Sequence, residues 1–259
     1  MSQLPFAGAD RVLRLTVAYD GTDFHGYAAQ PDVRTVEGVL REVLARVLRV
    51  ERDSLSLSCA GRTDAGVHAW GQVVSLSVGG DLEVDVAKVA RAVTRQLGPE
   101  VVVRDAVIVD GAFDARHSAR WRAYRYTIVN RPVPDPFLAR TTWWVPERLD
   151  LARLHMGADP FLGEHDFATF CRKGPPGSTT VRRVLESQWH DLGDGLLRYD
   201  ITATAFCWQM VRSIVGTLVD VGVGKIRPGD ILGILRAHDR NAAGRVGEPQ
   251  GLCLWEVGY

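Results

Sequence analysis

The first 110 residues show two kinds of pattern. Short stretches in which hydrophobic and polar residues alternate are separated by longer stretches whose apolar residues recur at helical spacing. Residues 13–19 alternate with period two, which predicts a strand because successive side chains of a strand point to opposite faces. Residues 36–48 carry one apolar stripe after Thr35, which predicts a helix capped by that threonine. Alternation at 55–59 and 73–78 predicts two further strands around a loop.

A second helix and a fourth strand complete the first half of the chain. Asp85 is the predicted N-cap of a helix that Gly98 and Pro99 close. Residues 101–109 predict the next strand. The order is therefore βαββαβ, the ferredoxin-like split unit, in which a four-stranded antiparallel sheet carries both helices on one face.

The second half of the chain repeats this order with longer interruptions. The pattern predicts strands at 124–128, 182–190, 196–204 and 252–257, and helices at 150–159, where Asp150 starts the helix, and at 206–221. Long insertions fall at 161–183 and 236–250. We therefore predict an α+β fold of two βαββαβ halves, with domains at 1–112 and 113–259. Their sheets are expected to run together as one continuous antiparallel sheet beside a central cleft.

Composition and cysteine spacing indicate a soluble protein without a metal or cofactor. The 259 residues are 46% hydrophobic, the N-terminal residues lack the order of a signal peptide, and no apolar run approaches the roughly 18 residues of a membrane span. A cytoplasmic location without membrane contact is therefore expected. Cys59, Cys171, Cys207 and Cys253 are scattered, which predicts buried or inert thiols and neither a disulfide framework nor a zinc site.

The formal net charge is zero, so the total charge does not indicate a nucleic-acid partner. The local clustering of arginine does. Lysine accounts for only three of the 31 basic residues, and the remaining 28 are arginine. Residues 116–126 hold four arginines and no acid among Trp121, Tyr124 and Tyr126, the composition of a nucleic-acid contact surface. A GC-rich genome also enriches arginine, and alternating aromatic residues also occur in cores. Segment 172–178 is basic and rich in proline and glycine, which predicts a surface loop. This loop either closes on a polyanion or only connects two elements.

Asp64 lies in a loop that is suited to present a carboxylate. Gly61 and Gly66 permit backbone angles closed to other residues, so the segment between them can turn sharply. An Asp-x-Gly sequence also fits a simple turn, in which the carboxylate caps its own backbone. Arg212 stands in an otherwise apolar helical pattern, where a buried cation needs an anion such as Asp64, unless its head reaches water at the helix edge.

Six segments together resemble the bacterial tRNA pseudouridine synthase A family, also called tRNA pseudouridine(38–40) synthase. They are YDGTDFHGY at 19–27, AGRTDAGVHAWGQV at 60–73, FDARHSARWRAYRYTIVN at 113–130, LGEHDFATF at 162–170, MVRSIVGTLVDVG at 210–222 and GLCLWEV at 251–257. The resemblance covers nearly the whole chain, and GRTDAGVHA is its most specific part. One departure is Tyr27-Ala28-Ala29, where family members often have Trp followed by Gln.

This resemblance implies the pseudouridine synthase fold and a homodimeric, metal-free isomerase without a cofactor. The implied reaction converts uridine to pseudouridine at positions 38–40 of the tRNA anticodon stem-loop. Asp64 is the implied nucleophile, and Arg212 its partner. Arg62 is expected to occupy the space left by the flipped-out nucleotide, and Tyr124 to stack on the target uracil.

Two other functions remain open from the residues themselves. A non-catalytic RNA-binding protein would keep the fold and the basic surface. An acid/base hydrolase would use Asp64 together with Asp20 or Asp166, at a separation that sequence does not define. In the synthase interpretation, both C1′ and C6 of the target nucleotide are open to attack.

Overall fold

The computed structural model describes residues 11–79, 84–172, 174 and 177–259. These residues form two compact units. The first comprises the described residues up to Ala119 together with Leu254–Tyr259, and the second comprises Arg120–Cys253. The division that we expected between residues 112 and 113 thus falls inside the first unit, and the final residues of the chain also belong to that unit.

The first unit has the predicted βαββαβ order. Its elements are β1 (Arg11–Tyr19), α1 (Val36–Leu48), β2 (Leu57–Cys59), β3 (His68–Val78), α2 (Val86–Leu97) and β4 (Val101–Asp110). The strand order is β4-β1-β3, with β2 also on β3, and all these pairs are antiparallel. The final strand, β10 (Leu252–Gly258), is the other neighbour of β3.

Local sequence signals explain where the two helices of this unit begin. The Thr35 side chain accepts a hydrogen bond from the backbone N–H of Gly38, and the Asp85 side chain accepts one from Lys88. Both predicted N-caps are therefore confirmed, since each satisfies a backbone donor left open at a helix start. Leu13 and Leu15 of β1 are fully buried opposite β3, which confirms the inward face of the first predicted strand.

The second unit contains most of the predicted elements and some that the pattern does not predict. It holds β5 (Trp121–Val129), β6 (Trp143–Trp144), α3 (Leu151–Ala158), β7 (Gly163–Asp166), β8 (Val181–Asp191), β9 (Leu196–Ala203), α4 (Met210–Gly222) and α5 (Ile231–Arg236). The antiparallel order is β5-β9-β8-β7, and β6 joins β5 in parallel. Strand β7 lies inside the insertion predicted at 161–183.

Helix α4 is shorter at its start than predicted. The apolar pattern predicts a helix from residue 206, whereas the helix begins at Met210. Gln209 adopts a left-handed backbone conformation with φ 63°, which interrupts a right-handed helix at that point. Residues 206–209 therefore form a separate connection between β9 and α4. The N-cap predicted at Asp150 for α3 is confirmed, because the Asp150 side chain accepts a hydrogen bond from the backbone N–H of Arg153.

The α+β class and the mostly antiparallel sheet are confirmed. The continuous sheet and the central cleft concern the arrangement of the two units and stay predictions. No helix within the described residues is both long and apolar enough to cross a membrane.

Candidate active site

The loop at residues 60–67, between β2 and β3, carries two of the four predicted site residues. Asp64 is half-buried and Arg62 is exposed. The backbone N–H of Val67 donates to the carbonyl of Asp64 at 3.1 Å, which closes a turn directly after the carboxylate-bearing residue. Gly66 within this turn has φ +77°, a conformation that side-chain-bearing residues rarely adopt, so the requirement for glycine at this position is confirmed.

Gln72 of β3 fixes the start of this loop. Its Nε2 donates to the carbonyl of Gly61 at 2.6 Å, and its Oε1 accepts from the N–H of Gly61 at 3.4 Å. One fully buried side chain therefore satisfies both backbone polar groups of Gly61. The special backbone angle predicted for Gly61 is wrong, because Gly61 is not among the described glycines with positive φ.

Thr63, the residue before Asp64, is held from two sides. Its hydroxyl and that of Tyr19 are 2.7 Å apart, and both side chains are buried. Its carbonyl accepts a hydrogen bond from the backbone N–H of Tyr27 at 3.0 Å. Gly26 passes so close that a Cβ there would lie 3.0 Å from the Thr63 carbonyl. The backbone that presents Asp64 is thus fixed by β1, β3 and the segment after β1.

The other end of the loop is also packed closely. The backbone N–H of Gly21 donates to Nδ1 of His68 at 3.0 Å. Gly21 lies against the backbone of Val67, and a Cβ at Gly21 would collide with the Val67 carbonyl. Any larger residue at position 21 would therefore push the end of the loop away from its place.

Replacing Gln72 with Leu should loosen the loop and lower stability. The variant leaves two backbone groups of Gly61 without their partner, and an unsatisfied buried polar group costs about 1–3 kcal/mol. We expect a fall of that size in the free energy of unfolding, measured by urea denaturation, and faster amide hydrogen exchange at residues 61–66. Tyr19→Phe is the comparison variant: it removes the hydroxyl contacts with Thr63 and Gln72 but keeps both bonds of Gln72 to Gly61, so exchange at Gly61 should rise less than in Gln72→Leu. A Gln72→Leu protein with wild-type stability and wild-type exchange in this segment would contradict the role assigned to Gln72.

The two further carboxylates considered for a hydrolase have local structural partners. The Asp20 carboxylate accepts from the N–H of Thr22 at 3.0 Å and from its hydroxyl at 2.6 Å. Asp166, in the second unit, accepts from the Thr180 hydroxyl and from the N–H of Ala168, and these bonds lower its pKa, with the Thr180 bond the larger cause. Each carboxylate also lies 3.2 Å from a histidine Nδ1, that of His68 for Asp20 and that of His238 for Asp166. Asp20 and Asp166 thus both take part in local turn contacts, and these contacts do not favour the hydrolase interpretation.

Tyr124, on β5 of the second unit, is largely buried. Its ring meets the ring of Phe206 edge-on, with centroids 4.9 Å apart. Its neighbour along the strand, Tyr126, is fully buried, and its hydroxyl donates to the carbonyl of Glu248 at 2.6 Å. The interpretation of these alternating aromatics as core residues therefore holds for Tyr126 and also for Tyr124, which is 8% exposed.

Arg212 is the one residue of α4 that is not buried among the 13 residues of this helix. Its Nε donates to the carbonyl of Gly247 at 2.8 Å, and its own carbonyl accepts from the N–H of Gly247 at 2.8 Å. The side chain is half-buried, so its head does not simply extend into water. The insertion at 236–250 thus places part of its backbone directly on Arg212.

This insertion is fastened to α4 along its length. Gly244 donates its N–H to the Thr217 hydroxyl at 3.0 Å, and Arg245 binds the Asp220 carboxylate through its N–H and its guanidinium. A Cβ at Gly216 would collide with the carbonyl of Arg245. The position of Arg212 is therefore fixed by a packed segment that periodicity does not reveal.

The four predicted site residues fall into two groups of two. Arg62 and Asp64 share the loop of the first unit, whereas Tyr124 and Arg212 belong to the second unit. Sequence reasoning missed Tyr19, Thr63 and Gln72, which hold the loop. Gln72 could have been found from the sequence, because it directly precedes the alternating strand pattern at 73–78. An amide buried in such a strand needs polar partners, and Gln72 is fully buried.

The chain matches a family model over most of its length. The model described as tRNA pseudouridine synthase matches residues 15–117 and 158–259. A protein from Leifsonia xyli subsp. xyli named tRNA pseudouridine synthase A is 43% identical over 262 residues, which cover 95% of this chain and 91% of the relative. The chain belongs to the tRNA pseudouridine synthase family. It is therefore an enzyme of the isomerase class.

Other relatives agree with this family membership. The tRNA pseudouridine synthase A of Bacillus subtilis is 38% identical over 247 residues, covering 95% of this chain and 98% of the relative. The family segments contain Arg62, Asp64 and Arg212, whereas Tyr124 lies between them. The assignment of Tyr124 therefore rests on the motif at 113–130 rather than on the family model. Within the described residues, no group of three or more His, Cys, Asp or Glu is placed to hold a metal ion.

Proposed function

We propose that this synthase isomerises uridine to pseudouridine at positions 38–40 of the tRNA anticodon stem-loop, with Asp64 as nucleophile. The observation that carries the proposal is the loop at 60–67. A carboxylate-bearing residue stands there on a backbone held by Gln72, Tyr19 and Gly66, in a chain that belongs to the family over most of its length. Mapping pseudouridine in tRNA incubated with the protein tests it.

The reaction requires a group that retains the intermediate. Uracil must leave C1′ through N1, turn, and rejoin C1′ through C5, after which the C5 proton is lost. A carboxylate that adds covalently to C1′ or to C6 holds the two fragments together during this exchange, and it is released when the product forms. A fixed backbone reduces the motion needed to bring such a carboxylate to the reacting carbon.

Three further side chains support the carboxylate in this proposal. Arg62 is exposed beside Asp64, so it is free to enter the space left by the flipped-out nucleotide. Tyr124 offers an aromatic surface for the target uracil, which recovers part of the few kcal/mol needed to unstack a nucleotide. Arg212 is the counter-ion of Asp64, with its orientation set by Gly247.

The proposed partners are tRNA and a second copy of the chain. A homodimer follows from the family resemblance and from the size of a folded tRNA relative to one 28.5 kDa chain. In this proposal the enzyme acts in the cytoplasm. Sedimentation at micromolar concentration should show a species of twice the chain mass, and a single 28.5 kDa species would contradict the dimer.

A further inference from the structure

Two cysteines of the second unit, Cys171 and Cys207, lie side by side although 35 residues separate them in the chain. Their side chains are hydrogen-bonded to each other. The residues that follow them are also joined, since the N–H of Arg172 donates to the carbonyl of Trp208 at 2.9 Å. The Arg172 guanidinium further lies 4.4 Å from the centre of the Trp208 ring. The main-chain bond and the ring contact thus bring the two cysteine positions together, and the Cys207 Sγ lies 3.9 Å from the carbonyl of Thr180.

The two thiols differ in the way that a reactive dithiol requires. Cys207 is half-buried, and its pKa is lowered to about 7, first by the hydrogen bond from Cys171 and further by the Arg182 guanidinium, whereas burial and the Asp166 carboxylate oppose the shift. Cys171 is buried, and the same hydrogen bond raises its pKa. The opposite directions of the two pKa shifts favour ionisation at Cys207 and retention of the proton at Cys171.

A third cysteine provides the contrast. Burial raises the pKa of Cys59 to about 12, although Arg62 and Arg116 act in the opposite direction. Cys59 is therefore protonated at neutral pH and a poor nucleophile. The raised pKa of Cys59 agrees with the expectation of an inert thiol.

We propose that Cys171 and Cys207 form a redox-active pair that a peroxide converts to a disulfide. The Cys207 thiolate attacks one peroxide oxygen, the O–O bond breaks, and the released hydroxide takes a proton and leaves as water. Cys207 is then a sulfenic acid. The Cys171 sulfur attacks the Cys207 sulfur, the S–O bond breaks, and the leaving hydroxide takes the Cys171 proton as a second water. Two thiols have lost two electrons, and one hydrogen peroxide has become two waters.

The disulfide would change the surroundings of Tyr124. The bond would join residue 171 covalently to residue 207 and so constrain the chain on either side of Cys207. Phe206 directly precedes Cys207 and meets the Tyr124 ring edge-on. The bond would also tie the base of the segment at 172–178 to the connection before α4. On the proposed function, in which Tyr124 stacks on uracil, the disulfide slows turnover until a dithiol reductant reopens it.

Mass spectrometry tests the bond without reference to activity. The full chain is treated with a few equivalents of hydrogen peroxide, alkylated and digested with trypsin. We expect the peptides 154–172 and 199–212 to appear as one disulfide-linked product, with Cys59 still open to alkylation after unfolding. Absence of the linked product while Cys59 or Cys253 oxidises first would overturn the proposal.

Single variants test the order of the two steps. Cys171→Ser should stop at the Cys207 sulfenic acid, which dimedone traps, whereas Cys207→Ser should yield neither product. Cys59→Ser is the matched control and should form the linked peptide as wild type does. Alkylation of Cys207 in untreated protein should accelerate as pH rises through about 7, because the thiolate fraction rises there. A flat profile between pH about 6 and 8, or a sulfenic acid on Cys171 instead, would contradict the assignment.

Activity is measured on the same oxidised sample. Pseudouridine formation should fall on oxidation and return after dithiothreitol, and it should resist peroxide in Cys207→Ser. A fully linked protein with wild-type turnover would disprove the coupling through Phe206. A reduced protein that forms no pseudouridine in any tRNA would refute the proposed function, while the linked peptide would still establish the dithiol.

Discussion

Replacing Asp64 with Asn should abolish pseudouridine formation while the protein still folds and binds tRNA about as tightly as wild type. Asn keeps the volume of Asp and favours the same turn conformations, so the turn closed by Val67 should persist. It removes the negative charge and with it nearly all nucleophilicity. Loss of a covalent nucleophile commonly costs a thousandfold or more, and we expect a fall of at least about 10³ in turnover, followed by tritium release from C5-labelled uridine.

Asp20→Asn is the matched control for this experiment. It makes the same chemical change in the same unit, at a carboxylate that caps a turn through Thr22. We expect it to lower stability slightly and to keep most of the turnover. If Asp64 were only a turn-former, the two variants would behave alike, and substantial product from Asp64→Asn would disprove the nucleophile assignment.

Removing the charge of Arg212 should have the second-largest effect. Arg212→Gln keeps an N–H donor for the Gly247 carbonyl, so the packed insertion should stay in place. It removes the proposed counter-ion of Asp64, and loss of one electrostatic contact at an active site typically costs about 10²–10³ in turnover. We expect a fall in that range with a melting temperature close to that of wild type.

Arg212→Lys separates charge from geometry. Lysine retains the positive charge but lacks the Nε–H that bonds the Gly247 carbonyl, so it should recover part of the activity lost in Arg212→Gln. Wild-type turnover in Arg212→Gln would break the proposed pairing. Equal losses in both variants, each with a lowered melting temperature, would assign Arg212 to packing of the insertion rather than to the reaction.

The sequence predicted those parts of the fold that depend on neighbouring residues. Strand alternation and the caps at Thr35, Asp85 and Asp150 involve residues within a few positions, so their signals survive in a single sequence. The start of α4 was wrong because Gln209 takes a left-handed conformation that its residue type does not announce. The short strand β7 was missed because it depends on pairing with β8.

The candidate site shows the same division between local and distant contacts. Gly66, two residues after Asp64, is a local signal, and its positive φ in the structure confirms it. The Tyr19–Thr63 contact joins residues 44 positions apart, and the Cys171–Cys207 pair is likewise distant in sequence. Such contacts are set by how strands and loops pack, so neither the support of the loop nor the approach of Cys171 to Cys207 could be predicted from spacing.

The central claim is that this chain makes pseudouridine at positions 38–40 of tRNA through Asp64. The direct measurement is carbodiimide labelling with primer extension on unmodified tRNA transcripts that carry uridine at those positions, after incubation with the purified protein. We predict extension stops at these uridines with wild type and none with Asp64→Asn. No stop with wild type on any transcript, stops only at other positions, or equal stops with both proteins would contradict the account.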